Sequence, residues 1–303
     1  MDSAVADIAP PGRVEREVGR LRGLQKAGDH EQALQGAQAL LAEYPQNRDL
    51  LLIGAVSLRH LGRLPESLAA LDRLEGLHPK FSQAHLQRGL CHVAMKDAPG
   101  AIATLLRAVT LNPALPMGWR MLEGVYRLTG DTDNATRVAA QSAALSAQPA
   151  EVVTATSLFF DGDLAAAERI IRPFLLAHGD HPEAMRILAK IAVAHEALND
   201  ADALYEALLE LAPDHRVARY EYGQVLVQRH RHAQALEQAR RLLSLEPGNL
   251  DFRTLEASAV VGLGDHEAAI GLYRGILADS PDSSDLHLWL GHALKTVGRA
   301  PEA

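Results

Sequence analysis

The sequence predicts an all-α solenoid of stacked antiparallel helix pairs. Three observations carry that prediction: a small residue recurring at a fixed interval, a glycine-marked turn five residues ahead of it, and a proline-marked turn between units. The small residue appears as Ala33, Ser67, Ala101, Ala135, Ala167, Ala201, Ala235, Ala269 and Ala303. Neighbours stand 34 residues apart, except for a step of 32 from Ala135 to Ala167. A register kept across all 303 residues marks an internal repeat, which holds that length as one array and not as separate globular domains.

The first turn carries Gly28, Gly62, Gly130, Gly162, Gly264 and Gly298, with Lys96, Glu196 and His230 in the same slot of three repeats. Glycine suits a helix end that turns left-handed, where other residues are strained by roughly 1–2 kcal/mol. Asp29, Asp131, Asp163 and Asp265 follow four of these glycines, and an aspartate there caps the next helix by accepting an orphan backbone N–H. Pro45, Pro79, Pro113, Pro213, Pro247 and Pro281 mark the second turn, because proline does not continue a helix interior. Pro149 and Pro182 fall near junctions but out of register. Between the markers, Leu68, Leu71, Leu74 and Leu77 share one helix face, as do Leu204, Leu208 and Leu211 later, and strand alternation is absent. Composition agrees: 48% of residues are hydrophobic but only 4% aromatic, so the core is built mainly from Ala and Leu and favours closely packed helices.

The same numbers narrow the function. A net charge of −8 excludes a general nucleic-acid binder, which needs a basic face to displace counterions. No run of about 18 apolar residues occurs, so no membrane span is expected. Cys91 is the sole cysteine, which fits a reducing compartment. The stretch from Met1 to Gly12 lacks the basic start and apolar run of a signal peptide. Residues 1–12 read as a flexible tail, followed at 13–303 by eight full repeats and a truncated ninth, with an irregular junction near 147–163. The expected location is the cytoplasm.

Over residues 13–303 the chain resembles the tetratricopeptide repeat family. Trp119, Leu122 and Tyr126 reproduce that family's W-x-x-L-x-x-x-Y spacing. Ala55, Gly89, Ala155, Ala189, Gly223, Ala257 and Gly291 supply small residues where paired helices cross, and Glu123 departs from this pattern. The resemblance implies a right-handed superhelix, a non-catalytic protein-interaction scaffold, and a concave groove lined by the first helix of each repeat. In that register the groove includes Arg120, Arg127, Arg186, Lys190, Tyr220, Gln224 and Gln228. It is expected to receive a protein or peptide partner, acidic or extended, with arginines gripping carboxylates and Tyr220 offering a rigid amphipathic surface. The plain alternative is that these are ordinary solvated helix residues. Positions matching the carboxylate clamp of chaperone-binding members are Arg22, Val56 and Leu90, without an asparagine. Those matching the asparagine ladder of glycosyltransferase members include Ile53, Gln87, Met121, Ile187 and Glu221, so no ladder is present.

The segment Leu288-Trp289-Leu290-Gly291-His292-Ala293-Leu294-Lys295-Thr296-Val297-Gly298-Arg299 resembles the last repeats of bacterial proteins that carry a sulfotransferase domain after such an array. The resemblance implies a recruiting front part, since this chain contains no Gly-rich strand-to-helix phosphate loop. Ala303 sits where the second helix of the ninth repeat begins. Leu290 and Leu294 are therefore expected to be partly uncovered, for a further domain or a second copy to bury.

No catalytic constellation or cofactor site is expected. His85, Cys91 and His92 share a helix without converging, and His230/His232 and His178/His181 lack the i, i+4 spacing of a helical metal pair. Phe159 and Phe160 in the shortened repeat read either as an exposed anchor for a partner or, more simply, as filling their own core.

Overall fold

The computed structural model describes residues 12–303, and the tail expected at 1–12 lies outside them except for Gly12. The described chain is all α-helix apart from turns and one short 3-10 helix. The helices run α1 (Arg13–Lys26), α2 (His30–Leu41), α3 (Arg48–His60), α4 (Leu64–Leu77), α5 (Ser82–Ala94), α6 (Ala98–Leu111), α7 (Pro116–Thr129), α8 (Thr132–Ser146) and α9 (Ala150–Phe160). They continue as α10 (Leu164–His178), α11 (Pro182–Ala194), α12 (Leu198–Leu211), α13 (Arg216–Gln228), α14 (His232–Leu245), α15 (Leu250–Gly262), α16 (His266–Asp279) and α17 (Ser284–Thr296). The 3-10 helix Ala300–Glu302 follows. The chain forms two compact units, one ending at Ala167 and one beginning at Glu168, so the division falls inside α10 and just after the 32-residue step.

Within each unit the core is local. Ala33, Ala101, Ala167, Ala201, Ala235 and Ala269 have no exposed surface, because at each of these positions the second helix of a pair presses on its neighbours. Ser67 takes the same place, and its hydroxyl donates to the Ala55 carbonyl at 2.8 Å. In the first unit Val18, Leu21, Ala33, Ala37, Leu50 and Ile53 form a cluster spanning α1 to α3. In the second, Ala201, Tyr205, Leu208, Ala218, Tyr222 and Ala235 do the same for α12 to α14. Burial of this kind makes stability a sum of nearest-neighbour interfaces. Two glycines allow close helix approach: a Cβ on Gly89 would meet Leu105 at 2.6 Å, and one on Gly223 would meet Leu255 at 2.5 Å. Gly291 is not constrained in this way, its nearest neighbour being Ala303 at 3.9 Å.

The turns follow from the side chains that occupy them. Asp29, Asp97, Asp131 and Asp265 each accept a backbone N–H three residues on, capping α2, α6, α8 and α16, and Asp163 accepts that of Ala166. The proline turns are tied by the next first helix: Trp119 Nε1 donates to the Pro113 carbonyl at 2.7 Å, and Arg219 reaches Pro213. His85 and His287 approach Pro79 and Pro281 with the same six-residue offset. This accounts for two of the histidines. His181 and His215 account for two more, since their Nδ1 atoms accept the N–H groups of Ala184 and Ala218 at the starts of α11 and α13.

The leucine faces are only partly buried. Leu71, Leu74 and Leu208 are fully enclosed, but Leu77 and Leu211, the last residues of α4 and α12, are 39% and 49% exposed. Leu294, expected to be partly uncovered, is buried at 1% exposure against Ile270 and Ala293. Leu290 is half-buried, and the exposed large apolar residues of α17 are Leu288 and Trp289.

Lys96, Glu196 and His230 adopt φ of 59°, 59° and 58°, in the left-handed region that glycine occupies in the other repeats. Replacing each by Gly relieves strain of roughly 1–2 kcal/mol, offset by the roughly 0.4–1 kcal/mol of extra freedom glycine gives the unfolded chain. The expected result is a net gain of about 0.5–1 kcal/mol per substitution in urea unfolding. A loss would mean that these side chains hold the turn through their own contacts.

Candidate functional site

First helices of neighbouring repeats touch one another: α1 packs on α3, α3 on α5 and α5 on α7 in the first unit, and α13 on α15 in the second. The seven residues read from the sequence as groove positions all lie on first helices, but in both units. Arg120 and Arg127 are on α7, and the other five are on α11 and α13.

In the first unit Arg120 is exposed, and Arg127 is exposed and paired with Glu123 one turn back at 2.6 Å. In the second unit the residues are organised by two glutamates. Glu221 Oε1 accepts from Arg186 at 2.9 Å and from Lys190 at 3.0 Å, while its Oε2 accepts the Tyr205 hydroxyl at 3.3 Å. Arg186 also donates to Glu183 at 2.9 Å. His215 stands 2.8 Å from the same carboxylate. Because His215 Nδ1 accepts from Ala218, Nε2 carries the proton and donates to Glu183.

Arg186 and Glu221 are only 15% and 13% exposed, so these are ion pairs with most of their water removed. Burial alone would raise the Glu183 pKa, but the His215 hydrogen bond and the Arg186 charge outweigh it and bring it to about 2. Burial would likewise lower Arg186, and the charges of Glu221 and Glu183 outweigh it in turn. Burial beside Glu221 raises the Tyr205 pKa, so its hydroxyl stays a proton donor. The cluster is therefore close to charge-balanced, and Arg186 does not stand as an open cation. Tyr220, Gln224 and Gln228 follow at successive turns of α13. The Tyr220 ring leans on Phe252 at 5.7 Å, its hydroxyl accepts from Gln224 at 3.1 Å, and Gln224 and Gln228 are exposed.

A second polar site lies wholly in the first unit and was not read from the sequence. Asp161, which ends α9, places Oδ1 against the Ser82 N–H at 3.0 Å and the Ser82 hydroxyl at 2.5 Å. Its Oδ2 accepts from Asn112 at 3.3 Å and Gln83 at 3.5 Å, and Arg48 donates to its carbonyl. Asn112 Nδ2 also reaches the Ser157 carbonyl at 2.9 Å. Burial raises the Asp161 pKa, more than these hydrogen bonds lower it. One sequence signal pointed here. Asp161 is the acid in a slot that elsewhere holds Ala27, Leu61, Met95, Thr129, His195, Arg229, Leu263 and Val297. Phe159 and Phe160, in the same helix, are half-buried and meet edge to face at 5.7 Å.

Among the described residues, no group of three His, Cys, Asp or Glu side chains is placed to hold a metal ion, and no helix is long and apolar enough to cross a membrane. Cys91 is buried beside the Ser67 hydroxyl at 3.4 Å.

Paired helices with local cores, left-handed first turns and touching first helices define an all-α helical-repeat protein. A tetratricopeptide repeat profile matches residues 19–80, 65–116, 188–249 and 254–303, more than half of the chain, and the chain belongs to the tetratricopeptide repeat family. Members of this family generally act as protein-interaction scaffolds. The chain is 23% identical over 253 residues to DnaJ homolog subfamily C member 7 of Homo sapiens, covering 79% of this chain and 47% of that protein, so it spans about half of that relative's length. Similar solved structures include the APC/C hetero-tetramer Cut9-Hcn1, with TM-score 0.47 and 17% identity over 93% of this chain and 58% of that one. A tetratricopeptide repeat protein from Parabacteroides merdae has TM-score 0.40 and 12% identity, over 92% of this chain and 98% of that one.

Proposed function

We propose that this chain is a non-catalytic scaffold that holds an extended partner segment along the first helices of its second unit. The observation that supports this reading is the polar stripe Tyr220, Gln224 and Gln228 on α13, beside the fixed Arg186, Lys190 and Glu221 cluster. Glutamine amides both donate and accept, so spaced one turn apart they suit the backbone of an extended peptide. Tyr220 offers apolar area at low entropic cost because Phe252 already restrains its ring. Lys190 keeps 25% of its side chain exposed, enough for an acidic partner side chain to approach it next to Glu221. The test is to select binding peptides from a displayed random library, then compare affinity for the wild-type chain and the Tyr220→Ala, Gln224→Ala, Gln228→Ala triple variant. Gln224 and Gln228 are exposed and Tyr220 is half-buried against Phe252, so the variant, once shown to be folded by circular dichroism, should bind about tenfold or more weaker. Equal affinity would end the assignment.

The likeness of Leu288 through Arg299 to repeats preceding a sulfotransferase domain supports a second reading, in which the scaffold recruits the acceptor for such an enzyme. A reading frame that continues past codon 303 into a Gly-rich phosphate loop is the result this reading needs, and an early stop removes it. The outward Leu288 and Trp289, 57% and 38% exposed, support self-association through α17. Light-scattering mass that rises with concentration is then expected, and a constant monomer mass removes that reading.

A further inference from the structure

In the first unit α9 faces the first helices across a cleft. A cleft of about 440 Å³ is lined on one wall by Leu52, Phe81 and Met117, which belong to or precede first helices, and on the other by Val153, Ser157 and Leu158 of α9. Val153, Ser157 and Asp161 are four residues apart, the spacing of one helix face, and Leu158 flanks it. At the end of that face Asp161 enters the polar cradle of Ser82, Gln83 and Asn112, with Arg48 on its carbonyl. Ser82 and Asn112 are fully buried, and Arg48 is held in place over the Phe81 ring at 4.3 Å. The partners of Asp161 lie 78 and 79 residues away from it in α5, and 49 away after α6. These are tertiary contacts between one helix end and the starts of other repeats, outside the 34-residue stacking pattern.

We infer that the first unit carries a docking site for a short apolar helix ending in an acidic residue, and that α9, held there through Asp161, stands in it as an internal ligand that a partner helix of the same kind displaces. The apolar wall takes the helix face. The cradle takes the terminal carboxylate with one backbone N–H, one hydroxyl and two carboxamides, and Arg48 takes a carbonyl of the last helical turn. These are the groups a helix C-terminus presents, since its last carbonyls lack intrahelical partners. Tethering keeps α9 at an effective concentration near millimolar, so the site is closed to weak competitors and open to strong ones. This site is separate from the α13 stripe, and either assignment stands if the other fails.

The experiment uses the full chain and a fluorescent peptide of residues 149–163, read by anisotropy. Asp161→Lys in the chain removes the carboxylate from the cradle and frees the site. That variant is expected to bind the peptide about tenfold or more tighter than wild type does. Adding Asn112→Ala to the same chain, or using a peptide with Asp161→Asn, should abolish the gain. A D161K chain that is folded by circular dichroism and binds no better than wild type would overturn the inference, as would binding indifferent to Asn112. Hydrogen exchange on the unmodified protein gives an independent reading that requires no variant to fold. Amides of α9 should exchange at least about tenfold faster than those of α3, α5 and α7, through release of α9 alone. Exchange of α9 only together with those helices would also overturn the inference.

Discussion

Ala201→Trp is expected to unfold the second unit well below the temperature at which the wild-type unit melts. Ala201 has no exposed surface and sits among Met185, Ala189, Tyr205 and Leu208, where α12 presses on its neighbours. An indole does not fit there without moving helices, at a cost of roughly 1–3 kcal/mol or more. Stability in a repeat array is local, so hydrogen exchange should show the loss in α11 to α14 and little change in α1 to α5. Calorimetry that finds the unfolding unchanged would remove the register on which the whole reading of repeats depends.

Arg186→Glu is expected to be nearly as damaging, for an electrostatic reason. It removes the cation shared by Glu183 and Glu221 and sets a third carboxylate beside them in a site only 15% exposed. Removing one member of a fully buried pair costs roughly 3–5 kcal/mol, and partial exposure here reduces that to about 2 kcal/mol. The cluster also sets an acid limit. The Glu183 pKa is about 2 when folded, below its unfolded value near 4.5, so its contribution is complete above pH 4.5 and is lost as pH falls toward 2. In the variant the native carboxylates are no longer held below their unfolded value, so the loss of urea stability between pH 4.5 and 2 should be smaller than in wild type. Identical pH profiles would show that the ion pairs contribute nothing to folding.

The fold was legible because its determinants repeat. A buried alanine such as Ala201 needs a small residue every 34 positions, and the left-handed turn favours glycine, so both leave a periodic trace. Even Lys96, Glu196 and His230 were readable as strained occupants of the glycine slot. What periodicity does not record is pairing between particular side chains. Arg186 and Lys190 read as open groove cations, yet Glu221 lies 35 and 31 residues away and pairs with both, while Glu183 supplies the second balancing charge. In the sequence Glu221 counted only as a break in an asparagine pattern. The Asp161 cradle was hidden for the same reason, since the 32-residue step marks an irregularity without saying where the shortened helix goes. Leu77 and Leu211 mislead in the opposite direction: helical spacing places them on the core face, but each ends its helix and stays exposed.

The central claim is that first helices, and not second ones, form the partner-binding face. The direct measurement is amide chemical-shift mapping of the full chain as a library-selected peptide is added. The claim predicts perturbations concentrated at Tyr220, Gln224 and Gln228 of α13 and at Lys190 of α11. Perturbations concentrated on the second helices α12, α14 and α16, with α13 silent, would contradict it.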